Sequence, residues 1–249
     1  MNKPVPSTNC MGYPVFTGSL DLLPTLKKAL VNTINQYSYC IAEQDADFKK
    51  SLLASDVLLP DGVGIVAASQ LMEGKKISKI AGADLHLYLL KQLDISGGKC
   101  FYLGSSETTL NKIKERLAVD FPAVKVATFS PPYKAVFSDE DNAQMISAVN
   151  SFEPDVLFIG MTAPKQEKWA YAHREHLDAK LICSIGAVFD FYAGMVERPN
   201  ERWINLGLEW LGRLVKEPKR MWKRYLYYGP VFAYMLLKAK AEQTFTRTR

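Results

Sequence analysis

From about residue 29 to residue 192 short apolar, β-branched runs alternate with longer stretches whose apolar positions recur every three to four residues. The short runs predict strands at Leu30–Ile34, Asp56–Leu59, Cys100–Leu103, Lys125–Phe129, Val156–Ile159 and Leu181–Ile185. The longer ones predict helices that include Ala83–Leu93, Thr108–Val119, Asp139–Phe152 and Pro164–His173. Two helix starts are marked by capping residues and first-turn acids: Ser105-Ser106-Glu107 and Ser138-Asp139-Glu140-Asp141. Repeated strand–helix units of this kind predict an α/β fold, a parallel sheet with helices on both faces. After residue 192 the strand pattern stops, and Arg202–Val215 and Pro218–Lys240 read as helices, with Pro218 suited to a first turn. The expected division is an α/β unit over residues 1–195 and a helical appendage over 196–249.

Composition supports a packed core and argues against disorder, with 48% hydrophobic and 23% charged residues in 249. Charge is unevenly spread. Residues 1–197 hold 19 Lys and Arg against 22 Asp and Glu, net −3, whereas residues 198–249 hold 12 against 4, net +8. The anionic partner is therefore expected at the C-terminal end only, either nucleic acid or an anionic membrane surface. In that segment Trp203, Trp210, Trp222, Tyr225, Tyr227 and Tyr228 are interleaved with Arg213, Lys216, Lys219, Arg220, Lys223 and Arg224. Rings beside cations suit the headgroup zone of a bilayer, and arginine forks suit a diphosphate. The same pattern also fits a soluble amphipathic helix with its cations in water. The longest apolar run, Leu226–Leu237, is broken by Gly229 and Pro230 and is shorter than the roughly 20 residues that a bilayer requires. With no apolar run near the N-terminus to act as a signal peptide, a cytoplasmic protein is expected. Four scattered cysteines are expected to be reduced and mostly buried.

An open parallel sheet binds ligands beyond the carboxyl ends of its strands. The unusual polar clusters of this chain fall at those ends. Thr33 and Asn35 close the first strand, Asp61-Gly62-Val63-Gly64 follows the second, and Gly104 follows the third. Thr162 to Gln166 follows the fifth and Gly186 the sixth. Gly62 and Gly64 would let backbone N–H groups approach a phosphate at a helix start, and Asp61 beside them could take a proton from an attacking hydroxyl. Asp61 also reads as a simple helix cap, Thr162 as the cap of a helix begun by Pro164, Gly104 and Gly186 as tight turns, and Gln166 as a solvent-facing amide.

Asp45-Ala46-Asp47 matches the Asp-x-Asp metal signature of many sugar-nucleotide transferases, but it ends a helical segment instead of a strand and reads as a turn or cap. His86, His173 and His176 form no zinc spacing, and neither a dinucleotide glycine fingerprint nor a Gly-Lys-Ser/Thr phosphate loop is present.

Several longer stretches together carry a resemblance: Leu59-Pro60-Asp61-Gly62-Val63-Gly64, Ala81-Gly82-Ala83-Asp84-Leu85, Tyr102-Leu103-Gly104-Ser105, Gly160 to Trp169, Gly186 to Gly194, and Gly207 to Leu214 with Glu217-Pro218-Lys219-Arg220. In this order they resemble the WecG/TagA/CpsF glycosyltransferases, glycosyltransferase family 26. The resemblance implies a Rossmann-like fold and an inverting, metal-independent transferase without cofactor. Its expected partners are a UDP-sugar donor, an undecaprenyl-diphosphate-linked sugar acceptor and an anionic membrane surface, not nucleic acid. It implies a peripheral enzyme at the inner face of the cytoplasmic membrane, serving teichoic acid, common antigen, capsule or exopolysaccharide synthesis. The sugar would be N-acetylmannosamine, its uronic acid or a related hexose. A homo-oligomer is left open.

By the same resemblance Asp61 falls on the position of the catalytic base, and Thr33, Asn35 and Gln166 on pocket positions. Arg213, Arg220 and Arg224 fall in or near the appendage's arginine set. Lys79 stands where the family commonly has Arg, which keeps the charge but loses the bidentate fork. Two other functions fit the same fold class: a non-catalytic sugar-nucleotide or lipid binder, and an NAD-dependent oxidoreductase, the latter disfavoured by the missing glycine fingerprint.

Overall fold

The computed structural model describes residues 5–24, 28–196 and 209–247. Its centre is an eight-stranded sheet in the order β1-β2-β4-β3-β8-β7-β5-β6. The strands are β1 (Ser7–Cys10), β2 (Tyr13–Phe16), β3 (Ala29–Ile34), β4 (Val57–Pro60), β5 (Lys99–Gly104), β6 (Lys125–Phe129), β7 (Val156–Gly160) and β8 (Leu181–Ser184). All neighbouring pairs are parallel except β1 with β2. That antiparallel hairpin was not anticipated from sequence. Its strands are four residues each, too short for alternation to stand out, and Pro14 argues against a strand on its own. Met11 and Gly12 both take positive φ at its turn, and Asn9 Oδ1 accepts from the Gly12 N–H at 2.8 Å.

Alternation along the strands divides the core. Val31, Val57, Leu59, Cys100, Tyr102, Phe158 and Cys183 face α4 (Gly82–Ser96), α5 (Glu107–Asp120) and α8 (Val188–Tyr192). The intervening Leu30, Phe101, Leu103, Leu157, Ile159 and Ile182 face α6 (Asp139–Phe152) and α7 (Lys165–His173). On that second side, towards the hairpin, Ile34 and Leu58 meet α1 (Gln36–Ala42), α2 (Ala46–Leu53) and α3 (Val63–Glu73). This is the expected α/β sheet with helices on both faces. All four cysteines are buried and free.

From β3 the chain builds outward to β4 on one side, while β8, β7, β5 and β6 extend on the other. The order therefore reverses at β3, and a crevice opens there at the carboxyl edge.

The C-terminal segment folds back onto this body. After α9 (Glu209–Lys216) and α10 (Pro218–Trp222) comes a π-helical turn (Lys223–Tyr227), then α11 (Tyr228–Arg247). The single helix expected over Pro218–Lys240 is thus interrupted. Pro230 lacks an N–H for the carbonyl four residues earlier, and its ring crowds the preceding turn, which accounts for the irregular winding there. Tyr228, Phe232 and Leu236 of α11 share a buried cluster with Tyr39, Cys40 and Phe48. The Tyr39 and Phe232 rings meet edge-on at 5.4 Å, and the Cys40 thiol lies 3.8 Å from the Tyr228 carbonyl.

Candidate active site

Each wall of the crevice is set by a local feature of the chain. Beyond β3, Asn35 caps α1: its Oδ1 accepts from the N–H groups of Tyr37 at 3.1 Å and Ser38 at 3.0 Å, and Ser38 Oγ accepts from the Asn35 N–H at 2.8 Å. This reciprocal box places Gln36 and Tyr37 at the mouth. Beyond β4, the Asp61 N–H donates to the Ile34 carbonyl at 2.9 Å, continuing the sheet one residue past the strand. The cap of α3 is then Gly62, at φ +102, with no side-chain cap bond. The alternative in which Asp61 is merely that cap is therefore not what the helix start uses. A Cβ on Gly62 or Gly64 would stand 3.3 or 3.1 Å from Gln36 Oε1, so these glycines let the first turns of α1 and α3 lie against each other.

Lys79 arrives because the next residue, Ile80, donates its N–H to the Pro60 carbonyl at 2.9 Å, fastening that segment beside Asp61. The tail supplies the remaining wall with Trp210, Arg224 and Tyr225. The Trp210 and Tyr225 rings lie 5.8 Å apart, and the Arg224 guanidinium sits 4.7 Å over the Tyr37 ring. The structure thus gathers Asn35, Asp61, Gly62, Lys79 and Arg224 around one cleft. Gln36, Tyr37, Val63, Trp210 and Tyr225 complete it. None of those five was assigned to the pocket from sequence, although Gln36 and Tyr37 directly follow a predicted strand end.

Thr33, Gly64, Gly104, Thr162, Gln166 and Gly186 stand near the same edge but outside the lining of this cleft. Thr33 is half-buried within β3, and Gly64 lies in the first turn of α3. Gly104 packs backbone to backbone, where a Cβ would be 2.5 Å from the Gly160 oxygen. Thr162 is exposed, and its carbonyl accepts from the Lys165 N–H at 2.9 Å. The cap of α7 is Pro164 itself, not Thr162 as expected. Gln166 is buried instead of solvent-facing. Its Oε1 accepts from the Met161 N–H at 3.2 Å, and its Nε2 donates to Glu167 Oε1 at 2.8 Å. Gly186, at φ +54, closes over that amide: a Cβ there would touch it at 3.4 Å. Arg213 and Arg220 belong to α9 and α10, but their side chains lie outside the described residues.

Sequence reasoning missed Glu167. It is 3% exposed, and burial pushes its carboxyl up to about 7 against the pull of Gln166 and Arg224. Its Oε2 has no hydrogen-bond partner. The adjacent Gln166 was legible as a strand-end amide, but nothing local says that the next residue turns inward.

Asp45 is a helix cap, as its context implied. Its Oδ1 accepts from the Phe48 N–H at 3.0 Å and its Oδ2 pairs with Lys168 at 2.5 Å. The Lys168 contact holds its carboxyl below the ordinary range. Among the described residues no group of three or more His, Cys, Asp or Glu is placed to hold a metal ion.

The chain was compared with known proteins. A model of the glycosyl transferase WecG/TagA/CpsF family matches residues 12–246. An N-acetylglucosaminyldiphosphoundecaprenol N-acetyl-beta-D-mannosaminyltransferase from Bacillus subtilis (strain 168) is 30% identical over 218 residues, 87% of this chain and 82% of the relative. Proteins of the same description from Bacillus spizizenii and Staphylococcus aureus (strain MW2) are 30% and 26% identical, covering 80% and 87% of this chain and 76% and 75% of their own lengths. With a family model spanning nearly its whole length and its motifs gathered at one sheet edge, the chain belongs to the WecG/TagA/CpsF family of glycosyltransferases.

Proposed function

We propose that this glycosyltransferase moves an N-acetylmannosamine-type sugar from a UDP-sugar to an undecaprenyl-diphosphate-linked N-acetylglucosamine, working at the inner face of the cytoplasmic membrane in cell-surface polysaccharide synthesis. The observation that carries this reading is the cleft at the β3 reversal point, where one carboxylate, two cations and two helix starts converge. The relatives' names supply the sugar and the acceptor.

In this reading Asp61 takes the proton of the acceptor hydroxyl as its oxygen attacks the anomeric carbon. The bond from that carbon to the diphosphate breaks on the opposite side, which inverts the centre, and UDP leaves. Lys79, Arg224 and the N–H groups at the starts of α1 and α3 offset the charge that grows on the diphosphate. A nucleotide base has the Trp210, Tyr225 and Tyr37 rings to lie against. The charge on the leaving group is met by these groups without a metal, since the Asp45 carboxylate of the Asp-x-Asp sequence is engaged as a cap and an ion pair.

Membrane attachment is supported by the tail. Trp222, Leu226, Tyr227, Tyr234, Leu237 and Phe245 are exposed there among lysines. No described helix is long and apolar enough to cross a membrane. A lipid-linked acceptor held at a leaflet would then meet the crevice edge.

The test is a donor screen: purified protein, several UDP-hexoses and a synthetic lipid-diphosphate-N-acetylglucosamine, with product separated by mass. UDP-N-acetylmannosamine should be consumed, with or without EDTA. No transfer from any UDP-sugar would overturn the reading, and activity lost to EDTA and restored by Mg²⁺ would overturn its metal-free part.

A further inference from the structure

Among the described residues that line the cleft, Arg224 is the single arginine. Lys79 brings a compact charge that acts in any direction, whereas a guanidinium meets two diphosphate oxygens only when its planar fork is turned towards them. The Arg224 side chain therefore has to be aimed. Tyr37, also in the lining, is placed to do so: the guanidinium carbon lies 4.7 Å from the centre of its ring.

Tyr37 is itself fixed from two sides. Its N–H donates to Asn35 Oδ1 at 3.1 Å within the capping box of α1, which ties its backbone to the end of β3. Its ring meets the Tyr228 ring edge-on, with centres 5.1 Å apart and planes at 80°. Tyr228 is buried in the cluster that anchors α11. Arg224 lies within the π-helical turn and Tyr228 closes that turn, so Tyr37 touches the tail at both ends of one irregular winding. A ring holds a cation through its π charge and does not neutralise it, as a carboxylate would. Away from the cleft the protein does use carboxylates: Arg116 pairs with Asp120 and Arg174 with Asp56.

We propose that Tyr37 is a positioning residue of the donor site, its ring holding the Arg224 guanidinium at the cleft so that the fork meets the diphosphate of a nucleoside-diphosphate sugar. This rests on the reading that the cleft takes such a donor. A side chain held in advance loses less freedom when the ligand arrives, so the contact strengthens diphosphate binding without touching the ligand. With its face given to the cation, Tyr37 leaves the Trp210 and Tyr225 pair, 5.8 Å apart, as the broader surface for a base. Tyr37 belongs to the body and Arg224 to the tail, so the contact also ties completion of the site to the seating of the tail.

The experiment is a double-mutant cycle on the full chain, with UDP binding read by calorimetry. Tyr37→Leu keeps apolar bulk but loses the π face, and should weaken UDP binding about twofold to thirtyfold, the range that a cation–π contact spans. Tyr37→Phe, which keeps the ring, should recover most of that loss. Arg224→Gln should weaken binding at least as much as Tyr37→Leu. Adding Tyr37→Leu to Arg224→Gln should then change it by less than about twofold, because the partner through which Tyr37 acts is already gone. A fluorinated phenylalanine in place of Tyr37 keeps the ring's shape while withdrawing π charge, and should bind UDP more weakly than Tyr37→Phe. Equal losses from Tyr37→Leu with and without Arg224 would overturn the proposal, since Tyr37 would then touch the ligand or merely support the tail. So would wild-type UDP affinity in Arg224→Gln. Should Tyr37→Leu fail to fold, equal affinity of the plain and fluorinated rings overturns it instead. No UDP binding by wild-type protein would remove the nucleotide-sugar reading, and this proposal with it.

Discussion

Asp61 is held one residue past β4 by its own N–H on Ile34, with the helix cap handed to Gly62. Asp61→Asn keeps the shape but cannot accept the acceptor's proton. Turnover should fall by about 10²–10⁴-fold while donor affinity stays near wild type, measured by steady-state kinetics and calorimetry. Near-wild-type turnover would remove Asp61 as the base. Glu167 makes a separate prediction about stability. Its carboxyl rises from 4.5 to about 7 on folding, so between those values the unfolded chain binds fewer protons here than the folded one. The stability from this group is complete below the lower value and is lost as pH rises through the upper one. Glu167→Gln should therefore gain Tm over wild type at alkaline pH but not in acid, the difference approaching roughly 3 kcal/mol. A gain that does not change with pH would refute this account of the buried charge.

Among the elements, α11 does the most that its sequence did not announce. Its basic and aromatic pattern suggested a surface appendage, yet Tyr228, Phe232 and Leu236 are 8%, 5% and 9% exposed, so it is anchored in the core of the body. Phe232→Ala should cost about 3–5 kcal/mol, the usual range for emptying a buried ring, seen as a lower denaturant midpoint. A cost below about 1 kcal/mol would mean that α11 is only loosely attached. Removal of residues 196–249 would uncover Tyr39 and Cys40, so the expectation of a folded, inactive body after truncation has this exposed face to contend with. Elsewhere the strands and central helices came close to their observed bounds, because the buried strands, even the four-residue β4 and β8, are continuous apolar runs and the helices are long enough for a period of 3.6 to show. The hairpin strands, with Ser7, Thr8, Asn9 and Pro14 in them, and the π-turn carry no such run or period.

For the whole molecule, the division of charge is the property with consequences in solution. The tail carries net +8 from residue 198 onward against −3 before it, and each Lys or Arg beside an anionic leaflet contributes about 1 kcal/mol. Co-sedimentation with vesicles rich in phosphatidylglycerol should exceed that with neutral vesicles and should fall with added salt, as screening shortens the field. Equal binding to both at all salt concentrations would make the tail an ordinary solvated surface.

By itself the sequence determined the α/β class and the edge on which Asn35 and Asp61 would meet, from local periodicity and from residues next to strand ends, while the family and the part of Lys79 were legible only through the resemblance of its motif stretches. Tertiary structure decided which of the strand-end residues share a cleft. Gly104 and Gly186 serve close packing, Gln166 turns inward, and Arg224, Trp210 and Tyr225 come back from the far end of the chain to complete the wall. It also decided that Glu167 is buried with an unpartnered oxygen. The physical reason is that burial and a shared cleft depend on which helices pack together, and that is set by the sheet order around β3, which no local window contains.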